Sequence, residues 1–335
     1  MPLPASKSDK SFLPWLVRHV TTIRGKLTFT MECAPAFDYA RAAHETEIDN
    51  KAMRADFLCP EHVNLDLRWV VSNGSHPKAG LSEPEIELDH LDLSERGHKG
   101  LGVTAKFTLE EGQSVTFVLR EPPRNRRGST SGEGRTTDTV PDRSATESGE
   151  SQAVSTEDPT LNQALIERLY HDTTAFWLSW LQRCTYKGRW REVVQRAALA
   201  LKLLTFAPTG AIVAAATFSI PEDLNNAGRN WDYRFAWIRD ASFTVYALLR
   251  LGFTEEADQY VDWLSGLMRN RDKNGGLQIM YTIHGGKDIP EIELNHLDGH
   301  KGQKPVRVGN GAADHLQLDI YGASPYFPRG TQLSR

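Results

Sequence analysis

Cysteine is scarce in this sequence, and its few copies are not arranged for pairing. The 335 residues contain three cysteines, Cys33, Cys59 and Cys184, which are widely spaced and form no CxxC pair. An odd number of isolated cysteines predicts neither a disulfide framework nor a zinc site. The histidines between His284 and His315 also lack the HExxH spacing of a metal-binding helix. We therefore predict that the protein has no metal and no other cofactor.

The sequence also has no excess of basic residues and no long apolar run. Its 39 Lys and Arg against 43 Asp and Glu give a formal net charge of −4, whereas nucleic-acid surfaces need clustered cations. We interpret the basic run from Arg120 to Arg127 as a solvated linker. No segment reaches membrane-spanning length, and the N-terminus lacks the apolar core of a signal peptide. A cytoplasmic protein without nucleic-acid or membrane partners is predicted.

The first third of the chain alternates apolar and polar residues as half-buried strands do. Leu27, Phe29 and Met31 interleave with polar residues, and the odd-numbered positions of 63–71 are apolar in the same way. A hairpin is predicted where residues 103–109 meet 115–119 across a short polar turn. These patterns predict a partial antiparallel β sandwich over residues 12–121.

Two further regions follow the predicted sandwich. Residues 122–160 contain mostly Arg, Gly, Ser, Thr, Glu and Pro, a composition that cannot bury enough apolar surface to fold. We predict a disordered linker there. Apolar residues then recur at helical spacing over 161–322. Helix pairs joined by loops predict part of an α/α toroid, followed by a divergent tail at 323–335. The apolar faces of the predicted helices are Leu165, Leu169, Phe176 and Trp180; Val193–Leu204; a run from about Ala241 to Gly252; and Ala257, Val261, Leu264 and Met268.

The densest chemical signal is the run from Asn230 to Ser242, which reads NWDYRFAWIRDAS. Indole and phenol faces can pack against the C–H faces of a sugar ring, while Arg239 and Asp240 can hold its hydroxyls through charge-assisted hydrogen bonds. This combination predicts a sugar subsite. The alternative is a purely structural helix start, with Trp231 and Trp237 as core anchors and Arg239–Asp240 as a surface ion pair.

This run resembles the signature of glycoside hydrolase family 15, the family of glucoamylases and trehalase-like enzymes. Segments 207–222, 248–257, 277–281 and 306–322 extend the resemblance, which covers most of the region 161–322. Two positions depart from the pattern, since many relatives carry Cys where Ala236 stands and Gln where His315 stands.

The resemblance implies a fold, an activity and a set of site residues. The expected fold is a β sandwich followed by an (α/α)6 barrel. The expected activity is inverting hydrolysis at the non-reducing end of an α-glucoside, with trehalose and maltooligosaccharides as alternative substrates. Trp237, Arg239 and Asp240 would bind the terminal glucose beside Trp231, and Asn310, Asp314 and Gln317 would line or support the pocket. Alternatively, Asp314 caps the next helix.

Two catalytic carboxyl groups are required for this chemistry, and the resemblance places both in motifs that the sequence does not contain. The chain therefore looks like the middle of a longer enzyme, truncated at both ends, and little or no activity is expected of it. The alternatives are a non-catalytic sugar-binding or regulatory fragment, or an unstable product.

Four other carboxylates are interpreted as non-catalytic. Glu255 and Glu256 are adjacent at a helix start, where acids are favoured but do not face each other. Glu291 and Glu293 lie two residues apart on one loop, too close together in the sequence to flank a glycosidic bond from two sides. The sequence thus identifies no catalytic residue.

Overall fold

The computed structural model describes residues 13–74, 81–122, 159–225, 227–269 and 276–323. The chain divides into two compact units, Met1–Tyr170 and His171–Arg335. Among the described residues, no helix is both long and apolar enough to cross a membrane. The predicted linker at 122–160 and the predicted tail at 323–335 lie almost wholly outside the described residues.

The first unit contains two antiparallel sheets, as the alternating pattern predicts. One sheet has five strands in the order β1-β8-β5-β4-β3 and the other has three in the order β2-β7-β6. Phe107 on β7 and Phe117 on β8 bring their ring centroids within 5.9 Å, and both belong to one buried core. The two sheets therefore form a sandwich. The strands are β1 Trp15–Thr21, β2 Lys26–Cys33, β3 Glu45–Asp49, β4 Arg54–Leu58, β5 Leu65–Ser72, β6 Asp89–Leu91, β7 Gly102–Glu110 and β8 Ser114–Arg120.

The predicted hairpin between β7 and β8 is wrong. β7 pairs with β2 and β6, whereas β8 pairs with β1 and β5. The turn between them crosses from one sheet to the other. Gln113 fixes it, because its side-chain oxygen accepts from the Glu110 amide at 2.8 Å while its Nε2 donates to Asn73 Oδ1 and to the Ser82 carbonyl. Both strands show the alternation of apolar and polar residues, because each directs its apolar residues into the same core from a different sheet.

Arg120 also differs from its predicted role in a solvated basic run. It ends β8 and is only 3% exposed. Its Nε donates to Asp66 Oδ1 at 2.8 Å, and its guanidinium lies 5.0 Å from the centroid of Trp15. A charge removed from water requires such a partner. The rest of the basic run, Arg124–Arg127, lies outside the described residues.

The second unit is mainly helical, as the sequence predicts for this part of the chain. Its helices are α1 Gln163–Gln182, which begins in the first unit, α2 Arg191–Leu203, α3 Ile238–Arg250, α4 Thr254–Arg269 and the short α5 Asp319–Ala323. Two-residue to four-residue strands connect them: β9 Thr205–Phe206, β10 Ala211–Ile212, β11 Phe218–Pro221, β12 Asn230–Asp232, β13 Ala236–Trp237, β14 Met280–Tyr281, β15 Ile292–Glu293 and β16 Arg307–Val308.

The core of the second unit joins these helices to their connecting strands. Ile238 and Val245 of α3 are fully buried against Tyr260 of α4 and Met280 of β14. The buried stripe of α4 runs through positions 256, 257, 260, 263 and 264, the spacing of one helical face. Met268 lies beside this stripe and is 46% exposed, so its predicted burial is wrong.

Candidate functional site

The predicted sugar-binding run forms a strand–strand–helix corner. β12 pairs with β11, and β13 pairs with β14. Trp237 ends β13 in extended backbone, and α3 starts at the next residue. Arg239 and Asp240 therefore lie in the first turn of α3, where the helix dipole favours the Asp240 carboxylate.

A cavity of about 510 Å³ opens at this corner. It is lined on one side by residues of the run and on the other by residues of the loops that follow β14 and β16. The lining residues are Ala214, Trp231, Tyr233, Trp237, Arg239, Asp240, Glu291, Asn310, Gly311, Ala312 and His315. Aromatic faces and charged groups therefore share one small space.

Arg239 is the central cation of the cavity. Its Nη1 donates to Gln317 Oε1 at 2.8 Å and to Asp319 Oδ2 at 3.0 Å. Its Nη2 lies 3.2 Å from Asp240 Oδ2, an ion pair without hydrogen-bond geometry, since that oxygen is buried and has no hydrogen-bond partner. The hydrogen bond to Asp319 raises the pKa of Arg239 above its ordinary value. The Asp240 carboxylate thus keeps its acceptor capacity.

The aromatic side of the cavity is built around Trp237, which is only 7% exposed. Its ring lies 5.9 Å from Tyr233 and 6.5 Å from Phe235, measured between centroids. The Tyr233 hydroxyl donates to Glu222 Oε1 at 2.5 Å. Burial, reinforced by this bond, raises the pKa of Tyr233 to about 12. Tyr233 is therefore a neutral wall residue at physiological pH.

The opposite side depends on Asp232, a carboxylate with no exposed surface. Its oxygens accept from the Arg234 side chain at 2.9 and 2.8 Å and from the Gly309 amide at 3.1 Å. The Asp232 carbonyl accepts from Asn310 Nδ2 at 3.1 Å. These bonds join the 309–312 loop to β12, since Gly309 and Asn310 both donate to Asp232.

The structure brings five of the seven predicted site residues to the cavity. Trp231, Trp237, Arg239, Asp240 and Asn310 line it. The Asn310 amide also supports the loop, since its oxygen accepts from the Ala312 amide at 3.0 Å. Trp237 serves both interpretations of the run, because it lines the cavity and anchors the core.

The other two predicted residues do not line the cavity. Gln317 lies behind it and accepts from Arg239. Asp314 is exposed at the end of a 3-10 helix, Gly311–Asp314, whose N-cap is Asn310. The next helix begins only at Asp319. Neither a pocket contact nor the alternative capping role of Asp314 is seen.

Six lining residues were not among the predicted site residues, and three of them, Tyr233, Glu291 and His315, have polar side chains. Tyr233 lies within the recognised run, and His315 was noted only as a departure from the family pattern. Glu291 was interpreted as non-catalytic because it shares a loop with Glu293. Its Oε2 nevertheless accepts from the Gly311 amide at 3.0 Å, which brings it to the cavity. The paired loop position of Glu291 and Glu293 was the only sequence signal for it.

Glu256 does not line the cavity and has a different environment from Glu255. It is 1% exposed and accepts from Trp180 Nε1 at 2.7 Å, with Lys202 Nζ at 2.9 Å. Glu255 is 70% exposed and pairs with Arg183. Within the parts of the chain that the structure describes, no three His, Cys, Asp or Glu side chains are grouped to hold a metal ion.

Comparison with known proteins identifies relatives of this cavity-bearing region. Residues 188–326 match the family model for glycosyl hydrolases family 15. The chain is 31% identical to the trehalase of Mycobacterium tuberculosis over 313 residues, which are 92% of this chain and 38% of that protein. It is 41% identical to the trehalase of Thermoplasma acidophilum over 152 residues, which are 45% of this chain and 25% of that protein. No solved structure matches the chain.

The chain is a β-sandwich unit followed by a helical unit with a cavity lined by aromatic and charged side chains. Its residues 188–326 belong to glycosyl hydrolases family 15, and the curated proteins to which the chain is similar are trehalases. The chain spans 38% of the length of the mycobacterial trehalase and 25% of the archaeal one.

Proposed function

We propose that the cavity binds the non-reducing glucosyl unit of an α-glucoside and that the chain contributes this subsite to a family 15 glycoside hydrolase. The observation that carries the proposal is the Arg239–Asp240 pair in the first turn of α3 beside Trp237. The Asp240 side chain is 43% exposed beside this ion pair, so its carboxylate can accept a hydrogen bond from a sugar hydroxyl. The similarity to trehalases favours trehalose over maltooligosaccharides.

The size and lining of the cavity support this assignment. A volume of about 510 Å³ lies in the range of small-molecule sites, roughly 300–1,000 Å³. Trp237 and Tyr233 offer apolar ring faces, and Arg239 and Asp240 offer a donor and an acceptor on one edge. A pyranose presents the same combination of apolar faces and polar edges.

Binding is better supported than catalysis by this chain alone. Inverting hydrolysis needs a proton donor and a base that activates water. The carboxylates that line the cavity are Asp240 and Glu291, and each lies within 3.3 Å of an arginine nitrogen. Both carboxylates are therefore held in ion pairs with arginines, an arrangement that suits the binding of sugar hydroxyls. This observation supports the second candidate, a sugar-binding fragment. The inverting mechanism and the complete toroid remain part of the proposal for the whole enzyme.

Titration of the full chain with trehalose, followed by isothermal calorimetry, tests the proposal. We expect saturable binding that Asp240→Asn weakens about tenfold or more, since a hydrogen bond to a charged group contributes ~1.5–3 kcal/mol. Asp258→Asn is the matched control, because Asp258 is exposed on the neighbouring helix α4 and does not line the cavity.

Glucose release measured in the same samples separates binding from hydrolysis. Binding with little glucose release is the expected result. Equal trehalose affinity in the wild-type chain and Asp240→Asn would contradict the proposed subsite. Rapid glucose release abolished by Asp240→Asn would show that the chain contains its own acid and base.

A further inference from the structure

Arg307 occupies the junction behind one wall of the cavity. Its side chain is only 14% exposed. Nη1 donates to the Gly228 carbonyl at 2.8 Å, and Nη2 donates to Glu293 Oε1 at 3.1 Å. Nε lies 3.3 Å from Glu291 Oε1. The two terminal nitrogens of the guanidinium are therefore hydrogen-bonded to other segments, and its Nε is ion-paired with Glu291 without hydrogen-bond geometry.

The guanidinium also stacks on an aromatic ring. Its central carbon lies 4.8 Å from the centroid of Trp231, within the ~6 Å of an effective cation–π contact. Trp231 lines the cavity but Arg307 does not. Any effect of Arg307 on a bound ligand must therefore pass through the side chains that it holds.

The backbone around Arg307 fixes its position on two sides. Its amide donates to Ser219 Oγ at 2.6 Å, and Ser219 Oγ in turn donates to the Arg307 carbonyl at 2.9 Å. Ser219 lies on β11, which pairs with the strand that carries Trp231. Since the arginine and its aromatic partner share this small framework, their stacking is set by the fold and not by a flexible surface contact.

We propose that Arg307 is a positioning residue that holds the Trp231 indole flat as one wall of the sugar-binding cavity, with Glu291, Glu293 and the Gly228 carbonyl fixing the guanidinium. The inference rests on the proposed function of the cavity. A flat, immobile indole loses little conformational freedom when a pyranose face packs on it, so a fixed Trp231 strengthens binding. Lysine cannot replace the arginine fully, because a point charge cannot reach all three oxygens at once.

A double-mutant cycle in the full chain tests whether Arg307 acts through Trp231. Trehalose affinity is measured for the wild-type chain, Arg307→Met, Trp231→Leu and the double variant. Arg307→Met should weaken binding about tenfold in the wild-type background and less than threefold in the Trp231→Leu background. Arg307→Lys should recover part of the loss. Arg196→Met is the control, since Arg196 is an exposed residue of α2 and should leave affinity unchanged.

Acrylamide quenching gives a readout that needs no ligand. The chain contains eight tryptophans, so the signal of Trp231 is obtained as the difference from Trp231→Leu. Arg307→Met should raise the quenching constant of this signal about twofold. Glu293→Gln removes a half-exposed partner of Arg307 and should raise it to a smaller extent, which keeps the test available if Arg307→Met does not fold.

The two readouts separate this inference from the function on which it rests. Unchanged quenching of Trp231 in both Arg307→Met and Glu293→Gln overturns the positioning role, as does an equal affinity loss in both backgrounds of the cycle. If the wild-type chain binds no trehalose but Arg307→Met and Glu293→Gln still increase the quenching of Trp231, the proposed ligand is rejected and the positioning of Trp231 stands.

Discussion

At the scale of single residues, Arg239 shows what a local motif can and cannot predict. The sequence run predicts its pairing with Asp240, because the two are neighbours at a helix start. Its hydrogen bonds to Gln317 and Asp319 join positions 78 and 80 residues away. Local spacing does not reveal such contacts, so the sequence predicted only that Gln317 lines or supports the pocket and not that it accepts a hydrogen bond from Arg239.

Glu256 gives a residue-scale prediction of pH dependence. Burial opposes its ionisation, but hydrogen bonds from Trp180 and Lys202, with the Lys202 charge, outweigh it and lower the pKa of Glu256 below its ordinary 4.5. A carboxyl with a lowered folded pKa stabilises the fold above its unfolded pKa. This contribution is fully present above about pH 4.5 and is lost as pH falls through the folded pKa.

Urea denaturation of Glu256→Gln at pH 7 and below pH 4 measures this contribution. The variant should lose about 3 kcal/mol at pH 7, because it leaves cations without their buried anion, and should differ less from the wild-type chain in acid. Glu255→Gln, at the 70% exposed neighbour, should cost under about 1 kcal/mol. A pH-independent difference between Glu256→Gln and the wild-type chain would argue against the assigned charge state.

At the scale of elements, the periodicity of apolar residues predicted which segments form strands and helices better than it predicted which strands pair. Strands β2, β5, β7 and β8 and helices α1 to α4 lie where the alternating and helical spacing of apolar residues predicts them. Pairing depends on which sheet a turn leads to, and the contacts of Gln113 with Asn73 and Ser82 decide that from distant positions. The β7–β8 hairpin was wrong for this reason.

The loop after β16 offers an element-scale prediction with an internal control. Gly309 has a φ of +75°, and a Cβ there would lie 1.7 Å from the Pro290 carbonyl oxygen. Gly309→Ala should therefore destabilise the chain by roughly 3 kcal/mol, through left-handed strain and backbone clash. At Gly311, two residues on, a Cβ would meet only the Glu291 carboxylate, at 3.7 Å or more.

Thermal unfolding of the two alanine variants checks the role of this loop. Gly309→Ala should lower the Tm by several degrees and weaken trehalose binding, since the adjoining residues 310–312 line the cavity. Gly311→Ala should unfold close to the wild-type Tm, as an ordinary surface substitution does, with a change below about 0.5 kcal/mol. Equal Tm values for Gly309→Ala and Gly311→Ala would show that the close approach to Pro290 is not required.

At the scale of the whole molecule, the order of a β region before a helical region was predictable from composition and periodicity. The cavity was only half predictable. Residues of the run at 230–242 are contiguous, so they were found together. Glu291 and His315 reach the same space through the bonds of Asp232 to Gly309 and of Glu291 to Gly311, which depend on folding of segments far apart in sequence.

The crystal structure of the full chain with bound trehalose tests the central claim most directly. The account predicts one glucosyl ring against Trp237, with its hydroxyls within hydrogen-bond distance of Arg239 and Asp240 and its opposite face toward Trp231. Trehalose bound outside this cavity, or inside it without contact to Arg239 and Asp240, would contradict the account.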